Sequence, residues 1–449
     1  MNLAYTATTT LKRTPGSSSA ARAWACVLIC TVAYVFAYID RQILSLLIQP
    51  IKRDLLLSDS EFGLLSGLAF AIFYAVMGIP IASLSDSRSR IKIIAGGLFV
   101  WSAATVACGF ARSFTQLFVA RICVGAGEAC ISPASYSLIA DLFPKDQLGR
   151  ALAVYSTGSF LGSGLGFLVS GWVVGAVTGH VHSGFPMLAQ LAPWQLAFVV
   201  VGLPGIVLAI AIPLALKDPK RAGQQQPTEA RASFGQVIAF MRTRGAAFSS
   251  LYLGFSFCAM SLFSLMAWSP AYLMRTFGLD ARSSGYWLGS VVLVACTGGV
   301  LVSGILVDSL RRRGRSESPF LTGIIGAVGV IVTTLPLAFI DRLGIAISLL
   351  AAGTFFATFA LPSSTTAMQL VAPPNMRARV SAMFLFCNSL FGLALGAFLV
   401  GVLNDRVFKA VGQSLTTVVA GASVFAVITL AAGTPALRRA LTLQSASVE

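Results

Sequence analysis

The chain has 449 residues, of which 56% are apolar and only 11% are charged, against about 25% charged in a typical soluble domain. No soluble fold hides that much apolar surface, so the composition excludes a soluble protein and predicts a polytopic membrane protein. The net charge of +16 would suit a nucleic-acid partner, but the positions of the basic residues between apolar runs argue against one.

Apolar runs between polar breaks predict twelve transmembrane helices, because about 20 residues at 1.5 Å rise cross a bilayer. Numbered as spans 1 to 12, they cover approximately 23–50, 60–84, 91–110, 114–142, 147–177, 194–216, 246–274, 283–307, 318–340, 343–371, 379–403 and 411–434. The first run is long and lacks a cleavage-like site, so we interpret it as a membrane helix rather than a signal peptide.

The basic residues predict the orientation in the membrane. An even number of spans puts both chain ends on one side. Placing that side in the cytoplasm puts 22 of the 32 Lys and Arg residues inside and 8 outside, as the positive-inside rule requires. We therefore expect a multi-pass protein of the bacterial inner (plasma) membrane with both termini cytoplasmic.

A polar, basic stretch divides the spans six and six. Residues 217–244 contain GQQQPTEAR and are predicted to be a flexible cytoplasmic linker. The linker separates an N-terminal bundle, 23–216, from a C-terminal bundle, 245–434. Cytoplasmic tails are expected at 1–22 and 435–449.

The two halves repeat each other in order. Pairs at a constant offset of 229 are Pro133 and Pro362, Ser135 and Ser364, Pro144 and Pro373, and Arg150 and Arg379. Gly162 and Gly166 likewise recur as Gly392 and Gly396. Two six-helix copies in one orientation indicate a transporter with its binding site near the midplane between the halves. The expected fold class is therefore an all-α membrane protein whose twelve transmembrane helices form two pseudo-symmetric six-helix bundles.

The segments that follow spans 2 and 8 carry a recognisable motif. Residues 82–90 and 304–312 resemble the G-x-x-x-D-R-x-x-R motif of the major facilitator superfamily. The match has Ala82 in place of the first glycine, and Ser87 and Ser309 in place of the first arginine. This resemblance covers about residues 23–434 and implies the major facilitator fold.

Three further segments are similar to the spinster branch of that superfamily. They are AYIDRQ at 37–42, VGAGEA at 124–129 and IADLFPKDQLGRA at 139–151. The resemblance implies alternating access, proton coupling and, for the better-known relatives, lysolipid or sphingolipid-phosphate substrates.

Spans 1 and 4 hold charged residues far from their ends. Arg121 and Glu128 are seven positions apart, close to two helical turns, so they share one face of span 4. In span 1, Asp40 and Arg41 are adjacent and point about 100° apart. A charge at the bilayer centre costs about 2.5 to 3.5 kcal/mol on insertion scales, so such groups face a partner or a wet cavity. We expect Asp40 to pair with Arg121, and Arg121 to reach toward Glu128.

The repeat favours a functional role for these charges. The second half has Leu350 and Ala357 where the first has Arg121 and Glu128, so folding of this unit does not require them. The alternative is a static ion-pair cluster that tethers spans 1 and 4. Glu128 is the candidate proton site, because an anionic substrate could compete with it for the arginine. Asn388 in span 11 is a further candidate for the binding site, or else forms a helix–helix hydrogen bond.

Four residues at the predicted cytoplasmic helix ends are expected to form a gate. They are Asp86, Arg90, Asp308 and Arg312. Exposed ion pairs are worth about 0–1 kcal/mol, which suits a latch that opens in every transport cycle.

No catalytic constellation accompanies these charges, since the sequence contains no nucleophile elbow, phosphate loop or metal-ligand spacing. All eight cysteines lie in apolar runs, which indicates neither disulfides nor a zinc site. We expect no enzymatic activity, no cofactor and no metal, with a proton gradient as the energy source. The expected partners are protons, membrane lipids and a small amphiphilic substrate, and the protein is expected to be a monomer.

Three functions fit these observations. The first is a proton-coupled transporter of an amphiphilic anion or lipid, because deep charges occur in the first half while the second half is apolar at depth. The second is a carrier of small organic anions or drugs. The third is a membrane receptor or scaffold with a transport-inactive fold, against which the charges in spans 1 and 4 argue.

Overall fold

The computed structural model describes residues 17–180, 191–216, 218, 234–373 and 376–445, apart from the side chains of a few helical residues. Every regular element in these ranges is a helix. Twelve helices are long and apolar enough to cross a membrane by length and composition, which confirms the predicted fold class. Most of the predicted linker and the outermost tails lie outside the described residues.

The helices follow the predicted spans closely, and several spans are built from consecutive segments. In chain order they are Ser17–Leu46 (span 1); Asp59–Gly63, Leu64–Leu68 and Ala69–Ser87 (span 2); Arg90–Cys108 (span 3); Phe114–Glu128 and Ile131–Leu142 (span 4); Lys145–His180 (span 5); Pro193–Ala215 (span 6); Gly245–Phe277 (span 7); Ala281–Arg312 (span 8); Ser318–Thr334 and Leu335–Ala338 (span 9); Leu343–Ala357 and Ala360–Val371 (span 10); Arg377–Cys387, Asn388–Ala394, Leu395–Leu403 and Asn404–Phe408 (span 11); and Val411–Ser445 (span 12).

Two short helices lie outside the spans. Ile48–Leu55 follows span 1, and Phe234–Thr243 lies within the predicted linker. The helix of span 12 continues to Ser445, past residue 435, where we placed the start of the C-terminal tail.

Polar residues at the ends of the apolar runs start several helices. The side chains of Ser58, Ser89, Ser113 and Asp280 each accept a hydrogen bond from a backbone N–H three residues later. Such N-caps satisfy N–H groups that a helix cannot pair within itself. The same residues that interrupt the hydropathy pattern therefore also determine where these helices begin.

The internal repeat is visible in the helix bounds. Span 4 breaks into Phe114–Glu128 and Ile131–Leu142, and span 10 breaks into Leu343–Ala357 and Ala360–Val371. All four bounds differ by 229, the offset of the sequence repeat. The break after Glu128 thus belongs to the repeated scaffold and is not caused by the charge.

The two halves are joined by polar contacts at one end of the bundle, which we call the distal end. The first and last described residues, Ser17 and Ser445, lie at the opposite end, which we call the terminal end. The Arg275 guanidinium of span 7 binds both carboxylate oxygens of Asp59 in span 2, at 2.6 and 2.7 Å. Lys52 and Asn404 also contact the Asp59 carboxylate. Asp405 accepts hydrogen bonds from the backbone N–H groups of Asp59 and Ser60.

Close backbone packing accompanies these polar contacts. A Cβ on Gly63 of span 2 would lie 2.7 Å from the carbonyl oxygen of Ala397 in span 11, so the close approach requires glycine. Phe62 also packs edge-on against Trp268 of span 7, with ring centroids 5.7 Å apart. Among the described residues, Asp59–Arg275 is the ion pair that joins the halves. The distal end is therefore closed.

We expect Asp59→Asn to open the distal end. Asp59 is only 2% exposed, and removing one partner of a buried ion pair costs about 3–5 kcal/mol. Spin labels at Leu56 and Phe339, both highly exposed at this end, should move apart in distance measurements by pulsed electron paramagnetic resonance. The matched control is Asp54→Asn, because Asp54 binds Trp194 within the N-terminal half, at 2.6 Å. Equal distances in both variants would contradict the locking role of Asp59.

Candidate functional site

The centre of the site is an ion pair between spans 1 and 4. Arg41 donates from Nη2 and Nε to the same oxygen of Glu128, Oε2, at 2.5 and 2.7 Å. Glu128 is fully buried and the Arg41 side chain is 17% exposed. The second carboxylate oxygen, Oε1, is buried and has no hydrogen-bond partner. A buried carboxylate with one free oxygen is a position at which a proton can bind.

The predicted Asp40–Arg121 ion pair is wrong. Asp40 instead accepts a hydrogen bond from Thr105 of span 3, between Oδ2 and Oγ1 at 3.2 Å. Adjacent helical residues point about 100° apart. Asp40 therefore faces span 3, and this rotation directs Arg41 toward Glu128. The sequence predicted that the two side chains point in different directions, but we expected Asp40 to form the ion pair with span 4, and Arg41 forms it instead.

Arg121 is a buried cation that lacks an ion pair in the described part of the chain. It is 2% exposed, and its Nε atom has no hydrogen-bond partner. Among the described contacts it makes one hydrogen bond, from Nη1 to the backbone carbonyl of Asp40, at 3.5 Å. A guanidinium has five N–H donors, so the others can bind a further acceptor.

Aromatic rings surround Arg41, a feature that sequence reasoning missed. Its guanidinium carbon lies 4.4 Å from the ring centroid of Phe70, 5.0 Å from that of Tyr38 and 5.3 Å from that of Tyr74. These distances fall within the range of cation–π attraction, about 6 Å. The available signal was the spacing of Tyr38 to Arg41 and of Phe70 to Tyr74, which places each pair on one helix face.

A glycine brings spans 2 and 4 together at this site. A Cβ on Gly125 would lie 2.5 Å from the carbonyl oxygen of Phe70, so a larger residue would force the helices apart. This approach also places the Phe70 ring 5.7 Å from the guanidinium carbon of Arg121. Gly125 lies four positions after Arg121 and three before Glu128, on the helix face that they share.

The structure does not link Asn388 to this cluster. Asn388 begins the π-helical segment Asn388–Ala394 of span 11 and is half-buried. Among the described hydrogen bonds, none joins its side chain to Asp40, Arg41 or Glu128. Its predicted role in binding stays a prediction.

Phenylalanine residues of spans 7 and 10 pack into the core of the second half. Phe255 contacts Phe320 of span 9, with ring centroids 5.8 Å apart, and is almost fully buried. Phe355, Phe356 and Phe359 pack against one another. The aromatic rings beside the deep charges therefore come from the first half.

The predicted gate residues form different contacts from those expected. Arg90 is buried and binds Asp141 at the end of span 4 and Asp218 beyond span 6, the latter at 3.0 Å. The Asp86 side chain lies outside the described residues. These contacts all belong to the N-terminal half, since Arg90 is directed inward at the start of span 3.

In the second half, Asp308 and Arg312 are exposed and have no ion pair within the part of the chain that the structure describes. Glu317 instead binds Arg438 of span 12. This guanidinium holds the pKa of the Glu317 carboxyl below its usual range. The contact is therefore present at neutral pH and is lost as the pH falls through that lowered pKa. Among the described residues, each ion pair at the terminal end lies within a single half.

The described residues contain no group of three or more His, Cys, Asp or Glu side chains that could hold a metal ion. The chemistry that the arrangement supports is binding of a proton at Glu128 and of an anionic group at Arg121.

Comparison with known proteins identifies relatives over most of the chain. Residues 30–397 match the Major Facilitator Superfamily. The chain is 32% identical to an MFS-type efflux pump of Mycolicibacterium smegmatis, over 89% of this chain and 90% of the relative. It is 28% identical to protein spinster homolog 1 of Homo sapiens, over 88% of this chain and 75% of the relative.

A solved structure shares the architecture. It is a bacterial homolog of the human lysosomal transporter spinster, in an inward-facing and unoccupied conformation. The TM-score is 0.82 at 26% identity, over 94% of this chain and 98% of that chain.

The ion-pair geometry predicts that replacing Arg41 and replacing Arg121 cost different amounts of stability. Arg41→Met leaves the Glu128 carboxylate buried without a cation, so we expect a loss of about 3–5 kcal/mol in the free energy of unfolding. Arg121→Met is the matched control, because it removes a buried guanidinium that has no carboxylate partner. Denaturant unfolding of the purified variants should show the larger loss for Arg41→Met. The reverse order would contradict the observed pairing.

Proposed function

Because the chain belongs to the Major Facilitator Superfamily and resembles its spinster branch, we propose that it is a proton-coupled transporter of an amphiphilic anionic or lipid-like substrate. It works by alternating access in the bacterial inner membrane, with both termini in the cytoplasm. Bacterial relatives and the distribution of basic residues support this location.

The observation that carries the proposal is the charge balance of the buried cluster. Two carboxylates, Asp40 and Glu128, accompany two guanidinium groups, Arg41 and Arg121. One proton on Glu128 adds one positive charge to the cluster. Since uncompensated charge in a low-dielectric interior is unfavourable, the protonated cluster favours an anion beside Arg121. Proton and anion binding are thereby coupled.

The conformation fits such a cycle. The distal end is closed by Asp59 and Arg275, and the terminal-end ion pairs of the described residues each lie within one half. With the terminal end in the cytoplasm, this is an inward-facing state, the state described for the bacterial spinster homolog. A gate that closes the cytoplasmic side would form in the opposite state.

We expect Glu128→Gln to abolish the dependence of transport on a pH gradient, because the amide keeps the shape of the neutral acid and cannot exchange the proton. Uptake of a lysophospholipid into proteoliposomes, with and without a pH gradient, measures this. Glu317→Gln is the matched control, since Glu317 lies outside the spans and binds Arg438. Gradient-driven uptake that survives in Glu128→Gln would move the proton site elsewhere, with Asp40 the next candidate.

A second candidate function is transport of small organic anions or drugs, because the name of the 32% identical relative, an efflux pump, specifies no lipid substrate. The two functions differ in how much an apolar tail of the substrate contributes to its binding affinity. Each buried CH₂ adds about 0.8 kcal/mol.

We therefore expect affinity to increase with acyl-chain length in a series of single-chain lipids that share one anionic head group. Thermal stabilisation of the purified protein at increasing lipid concentration measures the affinity, since a ligand at 100 times its Kd adds about 2.7 kcal/mol. Equal affinities along the series, or tighter binding of a short hydrophilic anion, would favour the second candidate.

A further inference from the structure

The Arg41 guanidinium has two sets of partners of different kinds. One is the Glu128 carboxylate, and the other is the ring cage, by which we mean Tyr38, Phe70 and Tyr74. The carboxylate can lose its charge by binding a proton, whereas the attraction of the rings does not depend on pH. After the proton has bound, Arg41 loses the attraction of a charged carboxylate and keeps the attraction of the rings.

The hydrogen bonds leave room for that proton. Nε and Nη2 of Arg41 both donate to Oε2, while Oε1 is buried and unpartnered. A proton from solvent can therefore add to Oε1 without displacing the guanidinium from its place among the rings. Glu128 becomes neutral in this step, and Arg41 keeps its own proton and its positive charge.

We propose that the ring cage is a positioning element for proton coupling: it holds the Arg41 cation in the N-terminal half when Glu128 is protonated. The rings thereby set how readily Glu128 accepts the proton. This inference rests on the proposed role of Glu128 as the proton site.

The physical argument compares the two protonation states. With Glu128 ionised, Arg41 has a counter-ion and gains little more from the rings. With Glu128 neutral, Arg41 is a cation in an apolar environment, and desolvation penalises it unless another partner compensates. Cation–π attraction is strongest in desolvated sites. The cage therefore stabilises the protonated state more than the ionised state.

Other groups around Glu128 do not replace the cage. Glu128, Arg41 and Arg121 are surrounded by few other titratable side chains. These are Tyr38 and Asp40 of span 1, Tyr74 of span 2 and Cys108 of span 3. Asp40 is the one other carboxylate in this set, and it is bound to Thr105. It makes no hydrogen bond to Arg41 among the described contacts.

The test uses infrared spectroscopy of the full-length protein in liposomes and requires no substrate. The carbonyl stretching band of the protonated Glu128 side chain is assigned by its absence in Glu128→Gln and then titrated against pH. In the double variant that combines Phe70→Leu with Tyr74→Leu, we expect the midpoint of the Glu128 titration to fall by about one pH unit, which is a tenfold loss of proton affinity. Tyr74→Phe retains the ring and should retain the midpoint.

The matched control is Phe198→Leu, because Phe198 is also fully buried in the N-terminal half and packs against Trp194 instead. If the double variant does not fold, the single variants Phe70→Leu and Tyr74→Leu are expected to give smaller shifts in the same direction. A midpoint that stays the same or rises in the ring-deletion variants would overturn the inference. A parent protein whose Glu128 band does not titrate would overturn the proposed proton site as well.

Discussion

The arrangement depends on the cost of placing charge in a low-dielectric membrane interior. Asp40, Arg121 and Glu128 are buried in spans 1 and 4, and the Arg41 side chain is only 17% exposed. A charge at any of these positions would be strongly unfavourable alone. The Arg41–Glu128 ion pair compensates two of them, and Thr105 and the aromatic rings partly compensate the rest. Such a cluster is sensitive to a single proton, because neutralising one member changes the environment of all the others.

The fold could be predicted almost completely from the sequence. Hydropathy located the twelve spans, and the 229-residue offset predicted two copies whose broken helices, such as Phe114–Glu128 and Leu343–Ala357, have corresponding bounds. These features succeed because a membrane requires long apolar helices regardless of their neighbours. The signal lies in the local sequence and does not require knowledge of packing.

The four charged residues of the candidate site could be singled out from the sequence, but their pairing could not. Asp40, Arg41, Arg121 and Glu128 stood out because charges are rare at that depth. Their partners depend on the rotation of span 1 and on the close approach of span 2 at Gly125, both of which result from packing of several helices. The rings around Arg41 carried no comparable signal, since aromatic residues are common in membrane helices.

The matching helix bounds of spans 4 and 10 bear on how this protein can evolve. Leu350 and Ala357 occupy the places of Arg121 and Glu128 within a helix of the same bounds, so one copy of a duplicated unit carries the ionic chemistry and the other does not. Mutations that alter the uncharged copy can change the shape offered to a cargo without disturbing the charged one. Under the proposed function, substrate range and proton coupling are thereby open to separate selection, which two equally charged halves would not allow.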